Sequence, residues 1–523
     1  MKQITATAAR GLVHGEDEIA FLDVREAGEF GEAHPLFAVP LPYSRLELRI
    51  GSLVPRKKTP VILIDGGDGI AQRAALRLET LGYDNVSIVD GGIPAWGSAG
   101  FPLYKGVNVP SKTLGELAEA LWHPKMLQPT ELAEWQKRGD NFAFFDTRPA
   151  DEYKKMRVPG TRCVPNGELA HRLAVVNHDE PVVVTCAGRT RGIIGAIGLQ
   201  LSGHGGPIFA LENGTQGWTL AGLPLERGNA VDSLPEIDVA GTALSRERAT
   251  RLLESYSIEQ IDGKTAAELL SDTGRTTYLF DLRSQAESDR DPVPAATNVL
   301  GGQLVQATDQ WVGVRRSSIV LACDGGLRSA LAAFWLKQLG YHPFVVTVDA
   351  ALRSIAEIQA AEPVRRRTGL MNARSALSAM KAGALLIDLR GSMAYRREHI
   401  EGAIWSIRPR LATLGQLNDR SVVVISDTRD IADIAAIEIA ALGARRIDWV
   451  EDGHKALAAA GARKKHFHPR PVDRDAIDHL FFVHDRHDGN LDACRRYLEW
   501  ETGLVAQLDA VERAEFQLMK CEC

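Results

Sequence analysis

The sequence predicts an α/β protein of four tandem domains, each a mainly parallel sheet flanked by helices, with a helical C-terminal tail. An apolar run that ends in Asp-x-Arg occurs four times along the 523 residues. A second apolar run follows in every copy, and after it comes a helix-like stretch that ends in Leu-Gly. Strands that alternate with helices in this way form parallel sheets.

Each copy contains two short apolar runs of strand length. The first runs are Phe21–Arg25, Phe144–Arg148, Leu279–Arg283 and Leu386–Arg390. The second runs are Val61–Ile64, Val182–Thr185, Ile319–Ala322 and Val422–Ile425. Continuous apolar runs of this length are typical of strands buried on both faces. We therefore predict both runs as buried strands.

A helix is predicted after the second strand of every copy. The residues directly after that strand are Asp65, Cys186, Cys323 and Ser426. An Ala-, Leu- and Ile-rich stretch follows, and 17 residues after these positions each copy has a glycine: Gly82, Gly203, Gly340 and Gly443. A glycine just past an apolar helical stretch is a signal for a helix C-terminus. Asp65 and Ser426 are predicted to cap the helices that follow them.

The repeat also sets the domain boundaries. We predict domains at residues 1–105, 124–230, 258–362 and 368–462, and a helical tail at 463–523. The connectors Lys112–Trp122 and Ser245–Tyr256, and the tail segment Leu491–Leu518, are predicted to be helical.

Composition excludes several classes of function. The 61 basic and 67 acidic residues give a net charge of -6, which does not favour nucleic-acid binding. Six widely spaced cysteines fit a reducing compartment. With no signal peptide and no apolar run of membrane-spanning length, we expect a cytoplasmic protein without membrane partners. No phosphate-binding or dinucleotide motif indicates an organic cofactor, and no metal site is predicted.

Two of the four loops after the second strand carry a thiol. In open α/β sheets, ligands bind beyond the carboxyl ends of the strands, where loops lead into helix N-termini. The N–H groups and helix dipole there stabilise anions and are expected to lower the pKa of a thiol. Cys186 and Cys323 occupy this position. The matching loops of the first and fourth domains lack a thiol and are predicted to be inactive.

The two thiol loops differ in charge. The second-domain loop reads Cys-Ala-Gly-Arg-Thr-Arg from Cys186 to Arg191, with two guanidinium groups that favour an anion. The third-domain loop keeps the terminal arginine, Arg328, but places Asp324 next to Cys323. That carboxylate is expected to disfavour a dianionic donor.

On these residues the chain resembles tandem rhodanese domains, in particular the multi-domain bacterial thiosulfate sulfurtransferases. The resemblance rests on the Asp-x-Arg loop, the Cys loop, the Leu-Gly helix end and the Gly/Trp segments Asp90–Trp96 and Glu212–Trp218. It implies a sulfurtransferase that moves the outer sulfur of thiosulfate onto a cysteine as a persulfide, with release of sulfite. A thiophilic acceptor, cyanide or a cellular thiol, then takes the sulfur.

The resemblance also implies residue roles. Cys186 is the nucleophile and persulfide carrier, and Cys323 is a secondary or divergent site. The donor is held by Ala187, Gly188, Arg189, Thr190, Arg191 and, in the third loop, Arg328. Arg189 adds charge for the sulfonate end, and Arg191 holds the loop and the anion. Asp146 and Arg148 brace the loop. Gly192 departs from the family pattern, in which a serine is common.

Two other functions stay open. A Cdc25-type phosphatase or arsenate reductase places five residues between Cys and Arg, whereas four intervene here in both thiol loops. A persulfide- or redox-sensing scaffold with incidental turnover is the other alternative.

The remaining cysteines receive structural interpretations. Cys163 is interpreted as a packed thiol rather than one that resolves a persulfide. Cys521 and Cys523 are interpreted as part of a solvated tail. His484, His487 and Cys494, with His479 nearby, have metal-like spacing, but we interpret the histidines as surface residues.

Overall fold

A computed structural model describes residues 2–173, 179–356, 365–483 and 486–519. These residues form two compact units. The first unit comprises residues 2–11, 20–107 and 365–482, and the second comprises 12–19, 108–173, 179–356, 483 and 486–519. The first and last sheets of the chain therefore belong to one unit, and the two middle sheets belong to the other.

Four sheets in the described residues share one strand order, and the pairs along it are parallel. In the first unit, one sheet has the order Lys2–Ile4, Val86–Val89, Val61–Ile64, Ile19–Asp23, Val39–Pro40. The other sheet of this unit has the order Gly369–Leu370, Arg446–Trp449, Ser421–Ile425, Leu385–Asp388, Ile404–Trp405. In the second unit, one sheet has the order Lys125–Leu127, Ile208–Leu211, Val182–Thr185, Ala143–Asp146, Arg162–Cys163. The other sheet of this unit has the order Glu259–Ile261, His342–Thr347, Ser318–Cys323, Thr277–Asp281, Thr297–Asn298. The strands Glu398–Ile400 and Lys464–His466 pair antiparallel in the first unit, and a further short strand is Val314–Arg315.

Helices cover the sheets. In the first unit they are Ala27–Glu32, Leu46–Leu53, Ile70–Thr80, Gly92–Ser98, Ala373–Lys381, Ser392–Arg397, Arg429–Ala441 and Gly453–Ala459. In the second unit they are Pro129–Arg138, Ala150–Lys155, Glu168–His171, Thr190–Leu201, Gly214–Leu220, Gly263–Ser271, Gln285–Arg290, Gly301–Gln306, Leu327–Gln338 and Ala350–Arg353. The helix Ala6–Val13 has residues in both units. Short 3-10 turns are Tyr43–Arg45, Thr308–Gln310, Arg408–Leu414 and Asp473–Asp475.

The third and fourth strands in the order of each sheet are those predicted from the apolar runs. In the second-domain sheet Val182 to Thr185 are buried, and Thr185 lies opposite Asp146 on the neighbouring strand. Because the strands are parallel, the Asp-x-Arg loop and the Cys loop leave the sheet at the same edge. The predicted architecture of four parallel-sheet domains with a helical tail is confirmed. The boundaries at 105, 124, 230, 258, 362, 368 and 462 stay predictions.

The Leu-Gly signal for the helix end is confirmed in all four copies. Gly82, Gly203, Gly340 and Gly443 have φ between 74° and 88°, which is the left-handed region that favours glycine. The glycine lets the chain turn out of the helix and return toward the next strand.

Both connectors are helical, as predicted, and each begins before the predicted residue. They span Val109–Trp122 and Val239–Ser255. The prediction of one helix over Leu491–Leu518 is wrong. The segment contains three helices, Leu491–Thr502, Leu504–Gln507 and Ala510–Ala514. Gly503 separates the first two, and the side chain of Asp509 starts a new helix by accepting from the N–H groups of Val511 and Glu512. Within the described ranges, no helix is long and apolar enough to cross a membrane.

We expect Gly203→Ala to lower the free energy of unfolding by about 1 kcal/mol, because a Cβ is unfavourable in the left-handed region. Gly198→Ala is a matched control in the preceding helix. A Cβ there lies 3.7 Å from a methyl of Leu331, which is ordinary contact, and alanine favours the helix. Thermal unfolding followed by circular dichroism measures both variants. Equal shifts of the two midpoints would contradict the assignment.

Candidate active site

The Asp-x-Arg motif forms a buried ion pair at the edge of the sheet. Arg148 Nε donates to Asp146 Oδ1 at 2.9 Å, and its Nη2 donates to Asp146 Oδ2 at 2.7 Å and to the carbonyl of Met156 at 2.6 Å. The same pair, with a bond to the carbonyl eight residues after the arginine, recurs at Arg25, Arg283 and Arg390. This geometry matches the bracing role expected of Asp146 and Arg148.

Cys186 lies directly after the strand Val182–Thr185, and its loop leads into the helix Thr190–Leu201. The residue is 2% exposed. Backbone N–H groups of Gly188 and Gly192 hydrogen-bond the sulfur, which lies 3.8 Å from the carbonyl oxygen of Arg189. A Cβ on Gly192 would be 3.8 Å from the sulfur. The loop thus presents amide donors to the position where a sulfur anion forms.

The pKa of the Cys186 thiol is nevertheless raised. Burial raises it, and the charge of Arg191 and the N–H groups of Gly188 and Gly192 only partly oppose that effect. The expectation of a lowered pKa is therefore wrong for Cys186. Burial removes the water that would stabilise the thiolate. The charge of Arg191, which is already paired with a carboxylate, stabilises the thiolate by less than this loss.

The segment from Gly214 to Gln216, near the end of the second domain, packs against the Cys186 loop and hydrogen-bonds it. Gly214 has φ of 53°, and a Cβ there would lie 2.2 Å from the carbonyl oxygen of Cys186. Thr215 N donates to that carbonyl at 2.9 Å, and Gln216 N donates to the carbonyl of Ala187 at 3.2 Å. Only glycine permits this close approach.

Arg191 lies between the second and third domains of the second unit, with its side chain 11% exposed. Its guanidinium binds Glu152 through two hydrogen bonds of 2.7 and 2.8 Å, and Nη1 also donates to Gln303 Oε1 at 3.2 Å. Burial acts to raise the pKa of Glu152, but the hydrogen bonds and charge of Arg191 outweigh it and hold that pKa below the ordinary value. Arg191 therefore has one carboxylate partner and one neutral amide partner.

The positive charge of Arg189 is compensated by carboxylates of the protein. Its Nε and Nη2 donate to Glu116 at 2.7 and 3.0 Å, and Nη2 also contacts Glu119. Nη1 lies 3.3 Å from Asn213 Oδ1. Two carboxylates thus compensate the charge that Arg189 is expected to add for the sulfonate end.

Two helices cover the Cys186 loop. A Cβ on Gly115, in the connector Val109–Trp122, would lie 2.8 Å from Thr190 Cγ2. From the tail helix Leu491–Thr502, Glu501 Oε1 accepts from Thr190 Oγ1 at 2.8 Å. A Cβ on Gly188 would lie 3.2 Å from both Tyr497 and Glu501. The tail is thus part of the wall of this site.

A family model for the rhodanese-like domain matches residues 5–99, 128–221 and 264–357. The chain belongs to the rhodanese-like domain family. The crystal structure of a thiosulfate sulfurtransferase from Pseudomonas aeruginosa is similar over 100% of both chains, with 34% identity and a TM-score of 0.90. The fourth sheet of the present chain lies outside the three matched ranges.

Two curated relatives match single regions of this rhodanese-like protein. The HTH-type transcriptional regulator Rv0324 of Mycobacterium tuberculosis is 29% identical over 119 residues, which cover 23% of this chain and 49% of that protein. The uncharacterized protein YibN of Escherichia coli K12 is 29% identical over 107 residues, or 20% of this chain and 74% of YibN. The match to the first relative thus spans about half of that relative's length.

The second rhodanese loop with a thiol, in the third domain, is more strongly compensated. Arg328 binds Glu168 at 2.9 Å, Glu287 at 2.6 Å and Asp324 at 3.0 Å. Burial acts to raise the pKa of Glu287, but the hydrogen bond and charge of Arg328 outweigh it and lower that pKa to about 2. The Arg328 guanidinium therefore has three carboxylate partners where Arg191 has one.

Cys323 itself is 0% exposed. Its sulfur lies 2.8 Å from Ser329 Oγ, at the position where the second loop has Gly192. A Cβ on Gly326 would lie 2.6 Å from Ser245 Oγ and 2.8 Å from His171 Nδ1, so both side chains close this loop. Burial and then Asp324 raise the pKa of the thiol.

The loops without a thiol, in the first and fourth domains, are held differently. Asp65 accepts from Gly67 N and Ala71 N at 2.9 Å each, so the predicted cap on the helix Ile70–Thr80 is confirmed. The prediction for Ser426 is wrong, because its hydroxyl donates to the carbonyl of Thr428 at 2.7 Å instead.

The other cysteines are buried where the structure describes them. Burial raises the pKa of Cys163 to about 12, and its sulfur donates to the carbonyl of Arg148 at 3.5 Å. Cys494 donates to the carbonyl of Arg486 at 2.8 Å. His484, Cys521 and Cys523 lie outside the described residues. Among described residues, no three His, Cys, Asp or Glu side chains form a group that could hold a metal.

Sequence reasoning missed the acidic partners of this rhodanese site. One signal was present for Glu152: a glutamate stands four residues after the Asp-x-Arg arginine in three copies, as Glu29, Glu152 and Glu287. No comparable pattern marks Glu116, Gln303 or Glu501. These residues come from other segments of the chain, and only the fold brings them to the loop.

We expect alkylation of Cys186 by iodoacetamide to be slower at about pH 7 than that of an exposed thiol and to increase toward about pH 10. The thiolate is the reactive form, and a raised pKa moves its appearance to higher pH. Peptide mapping by mass spectrometry measures the labelled fraction. Cys163, whose pKa burial raises to about 12, is the internal control and should also be labelled slowly near neutral pH. Rapid labelling of Cys186 below about pH 7 would contradict the raised pKa.

Proposed function

We propose that this protein is a thiosulfate sulfurtransferase with Cys186 as its persulfide carrier. The observation that carries the proposal is the Cys186 loop: a thiol at the end of a buried strand, with the N–H groups of Gly188 and Gly192 on its sulfur and Arg191 beside it. Similarity over the full chain to the Pseudomonas aeruginosa thiosulfate sulfurtransferase supports the same donor.

The reaction balances as two displacements. The Cys186 sulfur attacks the outer sulfur of thiosulfate, the donor S–S bond breaks, and its electron pair leaves with sulfite. The thiol proton goes to solvent or to the leaving sulfite. The terminal sulfur of the persulfide is then attacked by cyanide or a thiol, and the Cys186 sulfur leaves with the electron pair. The loop N–H groups stabilise the sulfur anion in both steps.

Charge compensation favours Cys186 over Cys323 as the principal site. Arg191 keeps one carboxylate and one amide partner, so it retains more of its positive field for an incoming anion. Arg328 has three carboxylate partners. Cys323 is therefore proposed as a secondary site at most, with the first and fourth domains inactive and cytoplasmic thiols or cyanide as acceptors.

The direct test is the intact mass of the protein after treatment with thiosulfate, followed by peptide mapping. We expect one added sulfur on Cys186, release of sulfite, and thiocyanate after addition of cyanide. Cys186→Ser should lose this gain and most turnover. Cys323→Ser is the matched control and should keep most of both.

The opposite result for the two variants would assign the reaction to Cys323. Absence of sulfur on both thiols would overturn the proposal and favour a sensing scaffold. Hydrolysis of phosphate or arsenate esters by the wild type, lost in Cys186→Ser, would favour the phosphatase alternative.

Gln303→Glu tests the compensation argument. The new carboxylate would be a second acidic partner of Arg191, as Glu168 is one of the acidic partners of Arg328. Because it reduces the positive field that attracts the anion, we expect kcat/KM for thiosulfate to fall by roughly tenfold. Gln260→Glu is a control with the same charge change at an exposed position of the same domain. Sulfite release measures both. An unchanged kcat/KM in Gln303→Glu would show that Arg191 does not act through its charge.

A further inference from the structure

A buried carboxylate from the tail lies against the loop of the proposed active site. Glu501 is 1% exposed. Its Oε1 accepts from Thr190 Oγ1 at 2.8 Å, and its Oε2 would be 3.2 Å from a Cβ on Gly188. Oε2 is buried and has no hydrogen-bond partner in the described part of the chain. A buried carboxylate oxygen that accepts no hydrogen bond keeps much of its negative field.

Lys112 compensates the charge of Glu501 only loosely. Lys112 Nζ is 3.9 Å from Glu501 Oε1, which is beyond hydrogen-bond distance. The same ammonium donates instead to the hydroxyl of Tyr497 at 2.7 Å. The field of Glu501 therefore reaches the loop, and it acts to raise the pKa of Cys186 alongside the larger effect of burial.

The cations around the loop are already engaged. Arg189 is paired with Glu116 and Glu119, and Arg191 is paired with Glu152. A donor that carries two negative charges therefore enters a site in which each nearby cation has a carboxylate partner. Thiosulfate is such a donor, and its leaving group, sulfite, is also highly charged. An alkyl persulfide carries at most one negative charge, and its leaving group is a thiol.

We propose that Glu501 is a specificity-determining residue that lowers the efficiency of the Cys186 site with dianionic thiosulfate relative to alkyl persulfide donors. This rests on the proposed function, in which Cys186 carries the sulfur. With a persulfide donor, Cys186 attacks the outer sulfur, the donor S–S bond breaks, and the alkyl thiolate leaves and takes the proton of the Cys186 thiol. No oxidant or reductant is needed, and thiosulfate remains a donor of the same site.

Glu501→Gln tests this assignment, because glutamine keeps the size of the side chain and can still accept from Thr190. The rates of sulfur loading onto Cys186 are compared for thiosulfate and for the persulfide of 2-mercaptoethanol. We expect the ratio of kcat/KM, thiosulfate over persulfide, to rise by roughly tenfold in Glu501→Gln. Glu499→Gln, an exposed position on the same helix, removes the same charge and should leave the ratio unchanged.

Glu501→Asp separates charge from packing. It keeps the carboxylate and should keep the wild-type ratio, so a raised ratio in this variant would overturn the role of charge. An unchanged ratio in Glu501→Gln, with Cys186 still loaded by either donor, would overturn the inference alone. If neither donor loads Cys186 in the wild type, the proposed function itself fails, which distinguishes the two failures.

Discussion

A guanidinium buried beside a thiol needs carboxylates to balance its charge, and this requirement governs the second unit. Unpaired buried charges cost several kcal/mol, so each loop arginine is found with acidic partners. Arg191 has Glu152 and the neutral amide of Gln303. Arg328 has three carboxylates. Two loops with the same backbone plan thus present different fields to their sulfur atoms.

The frame under these loops is the same in all four domains. The Asp-x-Arg ion pair holds the carboxyl edge of each of the four parallel sheets, including those of the first and fourth domains, whose loops have no thiol. The fold is therefore kept where the thiol is absent, since the pair stabilises the strand ends and not the sulfur. The first unit uses Asp65 where the second has Cys186, and that side chain closes its loop by accepting backbone N–H groups.

The two thiol loops also differ in the segments of the chain that cover them. The Cys186 loop lies under the connector Val109–Trp122 and the tail helix, which bring Gly115 and Glu501 onto Thr190. The Cys323 loop is closed by Ser245 and His171. Burial lowers the pKa of His171 to about 4, so this side chain is neutral near neutral pH and adds no positive charge to the third loop.

The sequence by itself determined the repeat, the buried strands, the glycine at each helix end and the positions of Cys186 and Arg191, because these depend on local periodicity and short spacing. Only the tertiary structure decided which charges surround the sulfur. Thr190 and Glu501 are 311 positions apart, and Arg191 and Gln303 are 112 apart. No local pattern encodes such pairs. The pKa of a buried thiol depends on these distant charges and on lost hydration, so it follows from the fold and not from the loop sequence.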